Sequence, residues 1–186
     1  AMSSMTAKKL CPDAIFIPGS YYDYADYSKR VTDIIADRVP VLEKASIDEF
    51  YIDLSGMDTF FGSFKLAKEL RELIKNETGL PISFGLSTNK TVAKIATGEA
   101  KPDGFLFIEA GKEKEFLSKL HITKIPGVGD KTYPKLKAMG VEMVKDIQDF
   151  DIIKLQEEFG EMGIALWNKA NGIDNNPVVP YTDRKS

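Results

Sequence analysis

The sequence predicts an α+β fold in two parts. A sheet with helices packed on one face is expected up to residue 108, followed by a small all-α region. The first observation behind this is an alternation of apolar patterns in the order strand, helix, hairpin, helix, strand, helix, strand, which implies one sheet covered by helices. The second is a change at residue 109, after which apolar residues recur at helical spacing and lysines become frequent. The third is a hairpin signal at 41–54, where two strand-like runs enclose Asp48-Glu49.

Composition narrows the class. A chain of 186 residues allows one domain or two small ones, with enough length to bury a core. Charged residues at 28 % and hydrophobic residues at 43 % fit a soluble globular protein and exclude a disordered or fibrous chain. The single cysteine, Cys11, excludes an intramolecular disulfide framework and fits a reducing compartment. Beside Pro12 in an apolar context it reads as a small buried residue. No apolar stretch approaches the roughly 18 residues of a membrane span and no signal peptide is visible, so a cytoplasmic location is expected. The net charge of −3 argues against a nucleic-acid binder, but six lysines between Lys119 and Lys145 face only Asp130 and Glu142. That distribution permits one.

In chain order, residues 6–12 read as a short helix stopped by Pro12, and 14–18 as a short apolar strand. Tyr21 to Arg38 is an amphipathic helix with Tyr24, Tyr27, Val31, Ile34 and Ile35 on one stripe. Tyr24 and Ser28 stand four apart, share a face and are expected to pack. After the hairpin, 58–63 is a connection, and Ser63 is placed to cap a helix running to about Thr78. Phe64, Ala67, Leu70, Leu73 and Ile74 form its apolar stripe, and Gly79 and Pro81 end it. Residues 82–87 read as a strand, 91–100 as a helix, Lys101-Pro102-Asp103-Gly104 as a type I turn, and 105–108 as another strand. Beyond these, helices are expected over 113–120, from Thr132 to Met139, over 152–159 and over 163–170, the last with Trp167 as a core anchor.

Two stretches carry chemistry. Tyr51-Ile52-Asp53-Leu54 alternate with the period of a half-buried strand. In a regular strand residues 48 and 49 would point to opposite faces. At a hairpin tip the backbone leaves that register and both carboxylates can converge. Converging carboxylates repel each other unless a positive group sits between them. A hard cation such as Mg²⁺, held by one or two carboxylates together with substrate phosphates, suits the place. A solvated acidic turn is the other reading, and two adjacent acids leave both open. The second stretch, Ile122 to Thr132, resembles a helix-hairpin-helix. There a Gly-x-Gly turn, Gly127-Val128-Gly129, brings backbone N–H groups to a phosphate, with Lys131 beside it. A P-loop is excluded because Asp130 separates Gly129 from Lys131. His121 has no histidine or cysteine partner and is not expected to bind metal.

The run Ser46-Ile47-Asp48-Glu49-Phe50-Tyr51-Ile52-Asp53-Leu54 closely resembles the palm hairpin motif of the Y-family (translesion) DNA polymerases. Phe84 to Lys90, Ala93-Lys94-Ile95-Ala96 and Ala100 to Gly104 match the same family, as does the spacing of Tyr24 and Ser28. Phe159-Gly160, Gly163, Trp167, Asn171-Gly172-Ile173-Asp174 and Pro177-Val178 resemble the end of its thumb. Tyr133, followed by Pro134, departs from the small residue that the family carries there. The resemblance covers nearly the whole chain.

It implies an incomplete ferredoxin-like palm followed by a small all-α thumb with a helix-hairpin-helix. Residues 1–19 would be the tail end of the fingers, 20–108 the palm, 109–176 the thumb and 177–186 a linker toward a little-finger domain. The family's first strand with a further metal-binding Asp, its steric-gate aromatic and its fingers are expected to be missing from this sequence, so little polymerase activity is expected of the chain alone. For the full enzyme the resemblance implies template-directed nucleotidyl transfer in damage tolerance, using two Mg²⁺ ions. Asp48 and Glu49 would be catalytic metal ligands, and Lys101 a contact to the incoming triphosphate, work suited to a compact point charge. The plainer reading of Lys101 is a surface lysine at a helix end. Gly127, Val128, Gly129 and Lys131 would hold duplex phosphates, and Asp53 would be structural. The implied partners are primer–template DNA, deoxynucleoside triphosphates, a sliding clamp through regions outside this sequence, and a second copy through the truncated sheet edge. Two alternatives are a non-catalytic helix-hairpin-helix DNA-binding module and a palm-like nucleotide cyclase. A cyclase has no use for a turn that grips duplex phosphates.

Overall fold

The computed structural model describes residues 2–57 and 62–181; residues 58–61 of the expected connection and 182–186 of the expected linker lie outside them. Helix α1 (Ser4–Leu10) starts at Ser3, whose hydroxyl accepts the Thr6 N–H, and buries none of its residues. The strand expected over 14–18 does not form. Its backbone pairs with no other strand among the described residues, and Ile15 and Ile17 face solvent. An apolar run without a ladder partner leaves its polar backbone to water. Cys11, expected to be buried, is exposed in the same segment.

Helix α2 (Tyr21–Ala36) is capped by the Ser20 hydroxyl and buries Val31, Ile34 and Ile35 as its stripe predicts. Tyr24 and Tyr27 do not join that core; they are exposed on the N-terminal half of the helix, whereas Ser28 is buried. Strands β1 (Val41–Lys44) and β2 (Phe50–Asp53) pair antiparallel, with Leu42 opposite Ile52 and Glu43 opposite Tyr51. Opposed residues share a face. Leu42, Phe50 and Ile52 therefore join α2 and helix α3 (Ser63–Thr78) in one core with Leu70 and Ile74. Gly62, not Ser63, is the N-cap residue of α3, because the Ser63 hydroxyl donates to the Leu54 carbonyl. Gly79 ends α3 as expected, at φ +72 with its N–H on the Lys75 carbonyl.

Strand β3 (Phe84–Leu86), helix α4 (Lys90–Ala100) and strand β4 (Phe105–Phe107) form a βαβ unit with parallel pairing. The α+β class holds, but the single sheet does not. Among the described residues the antiparallel β1–β2 and parallel β3–β4 pairs are separate ladders. No described strand offers the backbone groups that would join them, and helices α3 and α4 bridge them instead. The turn after α4 is not type I, since the Lys101–Pro102 bond is cis and Asp103 has φ +48. Buried Arg71 on α3 holds that turn, donating to the Ile82 carbonyl at 2.8 Å and to the Asp103 carboxylate at 2.6 Å.

The rest is helical: α5 (Glu113–Ser118), a 3-10 turn at Ile122–Lys124, α6 (Tyr133–Ala138), α7 (Val144–Gln148), α8 (Ile152–Phe159) and α9 (Glu161–Ala170). Helix α7 has no counterpart in the sequence reading. It is short, and it is fixed by Asp146, whose carboxylate accepts the N–H groups of Glu142 and Met143. Leu117, Ile122, Ile125, Leu136, Ile147 and Leu155 are fully buried in a second core, and Val92, Ile95, Ala96 and Ile108 belong to that same cluster. The expected palm–thumb boundary after 108 thus falls inside a continuous core. Tyr133 packs against this core, its ring tilted at 58° to that of His121 with centroids 5.2 Å apart.

A strap of residues 172–179, after α9, crosses back over the start of α4. Asn89 donates to the Gly172 carbonyl at 2.8 Å, the Thr91 hydroxyl to Asp174 at 2.7 Å, and Lys90 to the Pro177 carbonyl at 3.2 Å. Val179 N–H donates to Glu43 on β1 at 2.8 Å. Burial pushes the Asp174 carboxyl up, but hydrogen bonds from Thr91 and Asn176 outweigh it and hold the group below its ordinary value.

Three substitutions test this packing. A Cβ on Gly85 would lie 2.3 Å from the Ala93 carbonyl oxygen and 2.6 Å from the Thr97 nitrogen, both backbone atoms, so β3 and α4 must part to accept it. Gly85→Ala is expected to lower unfolding free energy by about 2–3 kcal/mol in urea titrations. Gly98→Ala, in the same helix with nothing within 4 Å, should raise it by about 0.5–1 kcal/mol. Asp174→Asn should destabilise at neutral pH by roughly 1 kcal/mol, a modest figure because the site is partly solvated. A depressed carboxyl stabilises above the unfolded-state value and loses this as pH falls through the folded one. The gap between wild type and Asp174→Asn should therefore close below about pH 4 in thermal melts.

Candidate functional site

The loop between β1 and β2 is built by Ser46. Its hydroxyl accepts the N–H groups of Asp48 (3.3 Å) and Glu49 (3.1 Å) and donates its one proton to Asp48 Oδ1 at 2.6 Å. That uses every hydrogen-bonding capacity a hydroxyl has. The Ala45 and Ser46 N–H groups both point to the Glu49 carbonyl, closing the loop. Asp48 and Glu49 are exposed at its end.

Glu49 lies in register with Tyr51 and Glu43, on the hairpin face turned away from the Leu42–Ile52 core. Helix α4 covers that face. Lys90 and Lys94 lie one turn apart, on the same side of the helix. Lys90 Nζ donates to Glu43 Oε2 and Lys94 Nζ to Glu49 Oε2, each at 2.7 Å. Lys90 also sits over the Tyr51 ring at 4.9 Å. The Glu49 hydrogen bond holds the Lys94 ammonium above the ordinary lysine value, against the opposite pull of desolvation. The phenol of Tyr51 is pushed up by burial. Between hairpin, α4, Pro126 and strap lies a cavity of about 390 Å³, lined by Tyr51, Lys90, Thr91, Lys94 and Asn176 among others.

Lys101 is not part of this constellation. It follows the last residue of α4, exposed, about 10 Å along the helix axis from Lys94 at 1.5 Å per residue. Asp53 closes β2 locally: Ser55 engages its carboxylate and holds it below the usual range. His121 caps the 3-10 turn, its Nδ1 2.8 Å from the Thr123 hydroxyl.

The turn at 125–132 presents a second surface. Gly127 has φ +103, which disfavours any side chain there. Val128 tucks into the core, while Gly127, Gly129 and Lys131 are exposed. Lys169 of α9 donates to the Pro126 carbonyl at 2.9 Å and holds the turn from behind. The N–H groups of Thr132 and Tyr133 both point to the Gly129 carbonyl and lead into α6.

Among the described residues no group of three or more histidine, cysteine or acidic side chains is placed to hold a metal ion. Asp48 and Glu49 still offer hard oxygen donors on one exposed loop. That is the partial set a hard cation uses when substrate phosphates complete its shell.

Sequence reasoning passed over Glu43, Lys90, Lys94 and Asp174. The lysines could have been paired with the hairpin from their i, i+4 spacing and from the period-2 match of Glu43 with the Glu49–Tyr51 face. The strap contacts join residues more than 80 positions apart and carry no local signal.

Comparison with known proteins gives a consistent answer. Residues 1–98 match the model of the impB/mucB/samB family, and residues 123–174 that of the DNA polymerase-iota thumb domain. DNA polymerase IV of Lactococcus lactis subsp. cremoris (strain SK11) is 43 % identical over 187 residues, covering 100 % of this chain and 51 % of that protein. DNA polymerase IV of Dehalococcoides mccartyi (strain CBDB1) is 38 % identical over 186 residues, covering 100 % and 48 %. DinB from Sulfolobus solfataricus superposes with a TM-score of 0.84 at 27 % identity, over 94 % of this chain and 52 % of that one. The Dbh DNA polymerase in its insertion ternary complex gives 0.84 at 27 % identity, over 95 % and 52 %. The chain spans about half the length of the curated relatives it matches. With an acidic hairpin backed by a lysine-bearing helix and a glycine turn in a helical lobe, the chain belongs to the impB/mucB/samB family, the Y-family DNA polymerases.

Proposed function

We propose that this chain is the palm and thumb portion of a translesion DNA polymerase that adds deoxynucleotides to a primer end opposite a template, damaged template included. The observation that carries the reading is the Ser46-organised loop, which holds Asp48 and Glu49 together at the exposed end of a hairpin. Asp48 and Glu49 would hold Mg²⁺, which lowers the pKa of an attacking hydroxyl and stabilises the leaving pyrophosphate. Ser46 fixes the Asp48 carboxylate and the Glu49 backbone, and Lys94 holds the Glu49 carboxylate, so that little is left to order when substrate arrives. Lys101 would meet the triphosphate from the far end of α4, as a point charge. Gly127, Gly129 and Lys131 would grip duplex phosphates without reading sequence, while Val128, expected to join them, instead anchors the turn with its side chain in the core and its N–H on the Ile125 carbonyl.

The α4–hairpin contacts and the strap support a fixed spacing between the acidic loop and this turn. A duplex held by its backbone at one end would then present its primer terminus at the other. The alternative of a non-catalytic DNA-binding module uses the same turn and assigns the acidic loop no work.

The test pairs duplex binding with primer extension. Fluorescence anisotropy should show this chain binding primer–template DNA with an affinity that falls as salt rises. Lys131→Ala should weaken binding on every sequence alike and reduce the log–log salt slope by about 0.9. Because little extension is expected of this chain alone, the extension arm uses a full-length polymerase carrying it together with a fingers region and a first metal-ligand strand. With Mg²⁺ and all four deoxynucleoside triphosphates, Asp48→Ala should remove extension while leaving duplex affinity within about twofold, since the loop lies on a different element from the turn. Extension unchanged by Asp48→Ala would contradict the catalytic assignment.

A further inference from the structure

Helix α4 offers two lysines to two carboxylates on one hairpin face, with equal bond lengths and unequal surroundings. The Lys90–Glu43 pair is enclosed, its side chains 19 % and 4 % exposed, whereas Lys94 and Glu49 are 41 % and 47 % exposed. Glu43 also accepts the Val179 N–H and Lys90 also donates to Pro177, so the inner pair is tied into the strap. The outer pair has no such ties among the described residues. Lys94 engages one oxygen of Glu49, and Asp48 is satisfied by a neutral hydroxyl. An exposed lysine–carboxylate pair is weak, held by one charge against water. A doubly charged ion attracts the same carboxylate more strongly and competes for it.

We infer that Lys94 is the resident counter-ion of the Asp48–Glu49 loop, which a divalent cation displaces from Glu49. Its ammonium holds Glu49 in place and partly neutralises the loop when no cation is present. When a cation takes Glu49, the ammonium withdraws into the adjoining cavity, which has room for it beside Tyr51 and Asn176. Lys94 thereby sets a threshold on cation affinity, because the incoming ion must overcome a positive charge already on the loop. The inference rests on the reading of Asp48 and Glu49 as cation ligands.

Mn²⁺ binding in low-salt buffer, followed by electron paramagnetic resonance, tests it on the wild-type chain, Lys94→Met, Lys94→Arg and Asp48→Asn. Removing one positive charge about 5 Å from a divalent ion should tighten Mn²⁺ binding by roughly three- to twentyfold. Lys94→Arg, which keeps the charge, should bind within about twofold of wild type, and Asp48→Asn should bind markedly more weakly. A thermal melt of Lys94→Met close to that of wild type is expected from the exposed position. A second readout needs no variant: in ¹⁵N spectra of the wild-type lysine side chains, Mg²⁺ should move the Lys94 Nζ signal toward that of a free lysine. Lys94→Met binding no tighter than wild type, or an unmoved Lys94 signal at saturating Mg²⁺, would overturn the inference while leaving the ligand assignment intact. Binding indifferent to Asp48→Asn, or absent from every form, would overturn both.

Discussion

Glu43 is a carboxylate taken almost entirely out of water, and the placement of the whole site follows from how that cost is met. Its Oε2 receives both the ammonium of Lys90 from α4 and the N–H of Val179 from the strap. A buried charge without partners would cost several kcal/mol, so hairpin, helix and strap have to meet at this point. Once they do, α4 lies across the hairpin with Lys94 at Glu49. The strap seals the start of the helix through Asp174, and the helical lobe is fixed with Pro126, just before its glycine turn, lining the same cavity. Ion pairs of this kind specify an arrangement more than they stabilise it.

The two cores divide the labour in a way that family boundaries do not suggest. One core joins α2, α3 and the hairpin; the other runs from α4 through the helical lobe. Helix α4 buries Val92, Ile95 and Ala96 in the second core while its lysines reach the hairpin. It is therefore the element through which the acidic loop and the glycine turn keep their spacing. Gly85 makes this possible by letting β3 press directly on the helix backbone, which no larger residue allows. On the proposed reading, a primer end would be held over Asp48 and Glu49 while the duplex slides along the glycine turn. A single rigid helix spanning both tasks is a simple way to do it.

Much of this was legible in the sequence where the signal is local. The period-2 run after Glu49, the Gly79 stop and the Gly127–Gly129 turn each depend on neighbours a few residues away, and each stands where it was expected, while α4 begins one residue before the expected Thr91. What failed was non-local. The apolar run over 14–18 reads as a strand because periodicity says nothing about whether a partner exists. Tyr24 and Tyr27 read as core because a helical stripe does not reveal how far along the helix the packing extends. The single sheet was inferred from element order, which cannot tell one ladder from two. In the site, Asp48 and Glu49 stood out as a motif, while Glu43, Lys90 and Asp174 did not, since their meaning lies in contacts across 47 to 136 positions.

The central claim is that the Glu43–Lys90 pair couples hairpin and α4, and a double-mutant cycle on folding stability measures it directly. Glu43→Gln, Lys90→Met and the double variant would be unfolded in urea at pH 7. A coupling energy of about 1.5–3 kcal/mol is expected, each single change costing far more alone than when the other is already present. Single effects that add to within about 0.5 kcal/mol would contradict it, and would make the meeting of hairpin, helix and strap a consequence of packing alone.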